Sequence, residues 1–208
     1  MTRNPVFVSP DMSINDVRSL MQKEKIGHVP VLDKDKTLVG LITREDLFKA
    51  SPSAATTLDM YEISYLLSKM TAREIMVKNV ITATENDVVE EAARIMADKN
   101  IGCLPILREK LLVGIITDTD LFRVFVNAFG ARHSGIRITF SLKEKPGQIA
   151  RLTEAIAAKN GNLVSMVTSE GDDLSSRRVT IKVNGISRGD AEALIKGFGD
   201  FELEDIRE

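Results

Sequence analysis

The chain repeats itself, and the repeat limits what it can fold into more than any other feature. Written one above the other, VSPDMSINDVRSLMQKEKIGHVPVL from Val8 and ATENDVVEEAARIMADKNIGCLPIL from Ala83 place Met21 on Met96, Gly27 on Gly102 and Pro30 on Pro105, an offset of 102 − 27 = 75. The match continues with LVGLITREDLF from Leu38 over LVGIITDTDLF from Leu112, an offset of 112 − 38 = 74. The residue lost between them falls in a charged turn, DKDK against REK, where length changes are tolerated. A period this long, present twice, describes two copies of a small α/β unit rather than a solenoid.

Each copy carries the same layout. Val6 to Val8, and Ile81 to Ala83 in the second copy, read as a short strand. Ser13 then caps a helix whose Ile14, Val17, Leu20 and Met21 share one face. HVPVL and TLVGLIT are apolar strands around the charged turn Asp33 to Lys36, and a second helix opens at REDLFKA. The copy is β-α-β-β-α. Between the copies, Leu58, Tyr61, Tyr65 and Leu66 have helical spacing and predict a connecting helix; after the second copy, DLFRVFVNAFGARH predicts a helix that stops near Gly130.

The last segment has a different order. SGIRITFSL is a strand, KEKPGQIARLTEAIAAKNG a turn and helix with Pro146 just before its start, and NLVSMVTS a strand. The polar loop EGDDLSSRR leads to strand VTIKVNG, a helix with Ser187 and Asp190 as a capping pair, and a final strand FELEDIR. The order β-α-β-β-α-β is that of a ferredoxin-like sandwich.

Composition removes several classes of function. A formal charge of −2 gives no general attraction to nucleic acid or to an anionic membrane, and aromatic residues at 5% with no Trp give no stacking platform for bases. The apolar stretches are of strand length, so neither a signal peptide nor a membrane span is expected. One cysteine and two histidines supply neither an internal disulfide nor a zinc site, which fits a reducing cytoplasm.

The candidate for chemistry is GIITDTDLF, with Asp118 and Asp120 one residue apart. Read alone, it suggests a D-x-D metal site and a metal-dependent phosphotransferase or phosphatase. The repeat weighs against that reading: Thr117 matches Thr43 and Asp120 matches Asp46, but Asp118 matches Arg44, and no further oxygen ligands cluster nearby. No metal is expected. What both copies keep is an apolar strand, Gly, two apolar residues, Thr, two variable residues and Asp. One reading is a capping box with no ligand. The other is a nucleotide grip, with phosphate at Thr and the helix start and ribose hydroxyls on Asp. The pattern does not separate them. His28 reads as a partly buried, hydrogen-bonded residue and Cys103 as a small buried one, neither catalytic.

The residues IGHVPVLDKDKTLVGLITREDLF and IGCLPILREKLLVGIITDTDLF resemble the second halves of cystathionine-β-synthase (CBS) domains, which occur in tandem as Bateman modules. The resemblance covers residues 1 to about 130 and implies a pseudo-symmetric pair around a cleft for adenosine-containing ligands: AMP, ADP, ATP or S-adenosylmethionine. By that resemblance the ribose carboxylates are Asp46 and Asp120, and the phosphate-contacting hydroxyls Thr43 and Thr117. Val6 and Phe7, Ile81 and Thr82, and the segments His28, Val29, Pro30 and Cys103, Leu104, Pro105 would flank adenine. Arg44 or Arg3 would offer positive charge to a phosphate, whereas Asp118, standing where the first copy has Arg44, would repel one.

KEKPGQIARL and NGNLVSM resemble an ACT domain over residues 134 to 208. That family often binds amino acids where two copies pair, which would involve Lys145, Pro146, Gly147, Gln148 and Asn162. Many amino-acid-binding members carry Asp where this chain has Lys145, which leaves a turn and pairing sheet without ligand as the other reading. Two CBS units followed by ACT is similar to the acetoin-utilisation AcuB-like family. Together these readings give an α/β (α+β) chain: CBS unit 1 at 1–52, a connecting helix at 53–70, CBS unit 2 at 71–131 and an ACT domain at 134–208. The resemblance implies a non-enzymatic, homodimeric regulator with an adenosyl ligand, no required cofactor and an unidentified regulated protein. An amino-acid sensor working through the ACT domain is the alternative.

Overall fold

In the computed structural model, which describes residues 1–50, 59–171 and 175–208, capping starts the first helix as expected. Ser13 Oγ accepts from Asp16 N at 3.2 Å, and α1 (Ile14–Lys23) buries Ile14, Val17 and Met21, with Leu20 half-buried. Replacing Ser13 by Ala leaves that amide without its acceptor. The expected result is a loss of about 1 kcal/mol of unfolding free energy, read as a lower urea midpoint at unchanged slope.

The chain divides into two units, Met1–Leu121 and Phe122–Glu208. The first runs β1 (Thr2–Arg3), α1, β2 (His28–Leu32), β3 (Leu38–Thr43), α2 (Arg44–Lys49), α3 (Met60–Lys69), α4 (Ala72–Ile75), β4 (Ala83–Thr84), α5 (Val89–Lys99), β5 (Cys103–Arg108) and β6 (Leu111–Thr117) into α6 (Asp118–Ala128). The hairpins β2-β3 and β5-β6 form as expected, each antiparallel. Val6 to Val8 do not form a strand. Only Val8 pairs, as an isolated parallel bridge to Val31, while Val6 and Phe7 stay exposed; in the second copy the strand starts at Ala83, past Ile81 and Thr82. The connecting helix exists as α3, but Tyr61 and Tyr65 are exposed, so they form no buried stripe; Leu58 and the Leu66 side chain lie outside the described residues.

The two copies exchange their opening segments, which local periodicity does not reveal. Thr2 and Arg3 pair with Ile115 and Gly114 on the second copy's β6, and Val77, at the start of the second copy, bridges Leu41 on the first copy's β3. The two exchanges are equivalent, since Ile115 is Leu41 advanced by 74 and Val77 is Thr2 advanced by 75. Thr37 bridges Leu111, its own counterpart at 111 − 37 = 74, as residues on a two-fold axis must. Leu41, Cys103 and Ile115 are buried together at this seam.

The exchange explains the glycine of each G-h-h-T-x-x-D element. A Cβ on Gly40 would come 2.7 Å from Met76 Cγ, and one on Gly114 3.0 Å from Met1 Sδ and 3.1 Å from the Thr2 carbonyl. A side chain at either position would press on the other copy's opening segment, which lies across it.

In the second unit β7 (Ile136–Lys143), α7 (Gln148–Ala158), β8 (Asn162–Glu170), β9 (Ser176–Asn184), α8 (Arg188–Gly197) and β10 (Phe201–Arg207) follow in the expected order. The sheet order β10-β7-β9-β8, antiparallel throughout, is the ferredoxin-like arrangement. Alternate residues of β7 and β9, including Phe140 and Ile181, pack with Leu152, Ile156 and Ile195 into one core, and Phe140 stacks on Phe201 at 5.1 Å. Ser187 and Asp190 cap α8 as expected.

Candidate functional site

Strand register brings the predicted grip together. His28 pairs with Thr43 across β2-β3, and Cys103 pairs with Thr117 across β5-β6, so the start of one strand meets the end of the next. Val8 runs parallel to β2, and β4 runs parallel to β5. Val6 and Phe7 therefore extend toward the His28 end of one sheet, and Ile81 and Thr82 toward the Cys103 end of the other. In each copy three segments far apart in sequence converge at one sheet end, where the following helix starts. Val6 and Ile81, matched by the repeat, are both 37% exposed, apolar surface at the same place in each copy. Val29, Pro30, Leu104 and Pro105 are buried, so at these positions the backbone is what remains to meet a ligand.

The Thr and Asp of each copy form a capping box. Thr43 N and Thr43 Oγ1 both donate to Asp46 Oδ2, at 2.8 and 2.7 Å, and Asp46 N donates to Thr43 Oγ1 at 3.2 Å. The second copy repeats it: Thr117 N and Oγ1 donate to Asp120 Oδ2 at 3.1 and 3.2 Å, and Asp120 N donates to Thr117 Oγ1 at 3.4 Å. In both, Oδ1 stands outside the box; for Asp120 it lies 3.7 Å from the Met1 ammonium. In the first copy capping and ligand recognition are thus compatible on one carboxylate, with Asp46 Oδ1 outside the box. A second clamp joins the first: Arg44 N donates to Gly27 O at 3.1 Å and Asp118 N to Gly102 O at 3.0 Å, which ties each IG segment to the following helix. Its sequence signal is the glycine shared at the 75-residue offset.

The copies differ in charge. Arg44 Nε donates to Ile26 O at 3.3 Å, so its guanidinium folds back beside the first grip. Asp118, in the same place, accepts from its neighbour Thr119 N at 2.5 Å. Arg3 lies on β1, on the second copy's sheet, where its charge acts on Glu85. The two aspartates of D-x-D take different partners, and among the described residues no group of three or more His, Cys, Asp or Glu side chains gathers to hold a metal ion.

Burial holds the His28 imidazole below its ordinary pKa of 6.5; Asp118 and Asp46 oppose that shift and Arg44 adds to it. Between the lowered native value and 6.5 the unfolded chain binds the proton more readily, so stability falls as pH drops through that window. His28→Gln is expected to flatten the difference in melting temperature between pH 7.5 and 5.5; an unchanged difference refutes the assignment. Burial, then Asp118, pushes the Cys103 thiol up to about 12, so it stays protonated at neutral pH.

In the second unit, Lys145, Pro146 and Gly147 are exposed, with Gly147 at φ +87, but Gln148 is only 4% exposed. Its Nε2 donates to Asp200 Oδ2 and its Oε1 accepts from Arg151 Nη1 at 2.9 Å. Asn162 begins β8, after α7 has run 11 residues, about 16 Å, away from Gln148. Within one chain, the predicted residues of this unit stand at opposite ends of a helix.

Comparison with known proteins fits these two architectures. The CBS domain model matches residues 1–53 and 72–127, and the TTHA0829-like ACT domain model matches residues 134–205. L-aspartate semialdehyde sulfurtransferase of Methanocaldococcus jannaschii is 32% identical over 126 residues, 60% of this chain and 22% of that protein. Inosine-5′-monophosphate dehydrogenase of Staphylococcus aureus is 30% identical over 159 residues, 73% of this chain and 30% of that protein. The chain thus spans less than a third of either enzyme. A Vibrio cholerae protein assigned to acetoin utilization (AcuB) has a solved structure that superposes with a TM-score of 0.53 at 32% identity, over 64% of this chain and 90% of that one. No described helix is long and apolar enough to cross a membrane.

Proposed function

Starting from a chain that belongs to the CBS-domain family and continues into an ACT domain, both regulatory modules, we propose that it is a non-enzymatic sensor of an adenosine-containing ligand. The observation that carries this reading is the convergence of three segments at one sheet end beside a carboxylate with an oxygen outside its capping box. The ribose hydroxyls go to Asp46 and Asp120, and adenine lies against Val6 or Ile81 and the backbone after His28 or Cys103. A phosphate in the first copy goes to Thr43 and Arg44.

Occupancy is read out through α6. That helix opens on the Thr117–Asp120 box, and from Phe122 onward it belongs to the ACT-bearing unit. For a signal to pass, the ligand must bind one arrangement of the helix more tightly than another. The chain works as a homodimer: Phe48 and Phe122, matched by the repeat, are 81% and 69% exposed, apolar surface that a second copy would cover. The likeness to the Vibrio protein supports a place in acetoin or butanediol metabolism, acting on a partner protein.

Calorimetry of the full chain against AMP, ATP, S-adenosylmethionine and 5′-methylthioadenosine tests the reading. Saturable binding of at least one is expected, and no heat from any of the four overturns it. An amino-acid sensor in the ACT unit would instead respond to amino acids and to none of these.

A further inference from the structure

The two grips have the same backbone and opposite charge. In the first copy, Arg44 Nε lies 3.9 Å from a Cβ built on Gly27. In the second, the same construction on Gly102 meets His28 Nε2 at 3.2 Å and Asp118 Oδ2 at 3.8 Å. Asp118 Oδ1 meanwhile accepts from Thr119 N at 2.5 Å and Thr119 Oγ1 at 3.3 Å. The carboxylate therefore takes the amide that an anion would use at the start of α6, and the chain supplies its own anion there. Among the described residues no ion pair joins Asp118 to a lysine or arginine; a titratable neighbour is His28, on which Arg44 also acts. A phosphate entering this grip would meet the Asp118 carboxylate where the first grip offers Arg44, whereas a sulfonium or ammonium group would be attracted to it.

Resting on the adenosyl reading above, we propose that the second copy selects an adenosyl ligand whose 5′ substituent is uncharged or positive, a thioether nucleoside or a sulfonium, and that Asp118 excludes phosphate from it. The first copy, with Arg44 in that place, takes the phosphorylated ligand. One chain then reads two chemically distinct adenosyl pools at two sites of common ancestry.

Calorimetry on the full chain decides it. With the first grip weakened by Asp46→Ala, S-adenosylmethionine or 5′-methylthioadenosine is expected to bind at one per chain, with AMP at least tenfold weaker. Adding Asp118→Arg is expected to reverse that order, and Asp118→Asn to narrow it. Matching melting curves for Asp118→Asn and its parent separate a charge effect from a folding defect. AMP binding the Asp46→Ala chain as tightly as the thioether nucleoside overturns the proposal, as does an order of preference that Asp118→Arg leaves unmoved. If the natural chain binds these ligands but Asp46→Ala abolishes all binding, the second site is refuted and the sensor reading stands. Silence from the natural chain toward all of them refutes both.

Discussion

Valine at position 40 is expected to cost the Met1–Leu121 unit about 3 kcal/mol, the upper end of what overpacking a filled core does. The Cβ alone would sit 2.7 Å from Met76 Cγ and 3.0 Å from Met76 Cβ, and valine adds two methyls beyond it. The Met76 backbone is held, because the next residue is fixed by Val77 N to Leu41 O at 2.9 Å and Leu41 N to Val77 O at 3.0 Å, so any relief must come from the Met76 side chain. Against a total stability of about 5–15 kcal/mol for a typical domain, that loss is large. Urea unfolding should show the midpoint falling at unchanged slope. Met76→Ala combined with Gly40→Val should recover at least half of the loss, since the double variant removes the obstructing thioether. Equal cost with and without Met76 would mean that the exchanged segment is not what requires glycine.

Asp46→Ala is expected to weaken binding of a phosphorylated adenosyl ligand by about tenfold to a hundredfold, the equivalent of about 1.5–3 kcal/mol for a charge-assisted hydrogen-bond set. The same change removes the acceptor of Thr43 N, so some stability is lost as well. Asp46→Asn separates the two effects. Its amide oxygen can still serve the capping box while the charge is gone, so melting should return toward the natural chain and affinity should not. Affinity recovering together with stability would reduce Asp46 to a cap, the reading that the T-x-x-D pattern left open.

Much of this architecture was legible because the repeat gave each residue a control within the same chain. Thr43 with Asp46 and Thr117 with Asp120 stood out by being shared, and both pairs form the same box. Asp118 was marked by failing to match Arg44. What stayed hidden were partners distant in sequence. Met1 on Met76 and Asn4 on Asn79 keep the same 75-residue offset, so the opening segments belong to the repeat. The repeat does not reveal that they cross over, because periodicity reports which side of a strand is buried and not which strand lies beside it. Val29 and Leu104 show the same limit: their apolar character fits a ligand wall or a core, and packing put them in the core. The separation of Gln148 from Asn162 follows from the length of α7 once the β-α-β order is accepted.

The crossed opening segments also bear on how the chain is made. Thr2 leaves the ribosome before its partner Ile115, which follows 115 − 2 = 113 residues later, a wait on the order of ten seconds at typical rates of synthesis. The first copy's sheet can close once Val77 has emerged; the second copy's sheet must recover Thr2 and Arg3 after nearly everything between them is in place. Closing so long a loop is slow, which makes this pairing a late event in folding. Until then the nascent chain carries an unpaired β6 edge at Gly114 and Ile115, and chaperone binding during synthesis should concentrate there.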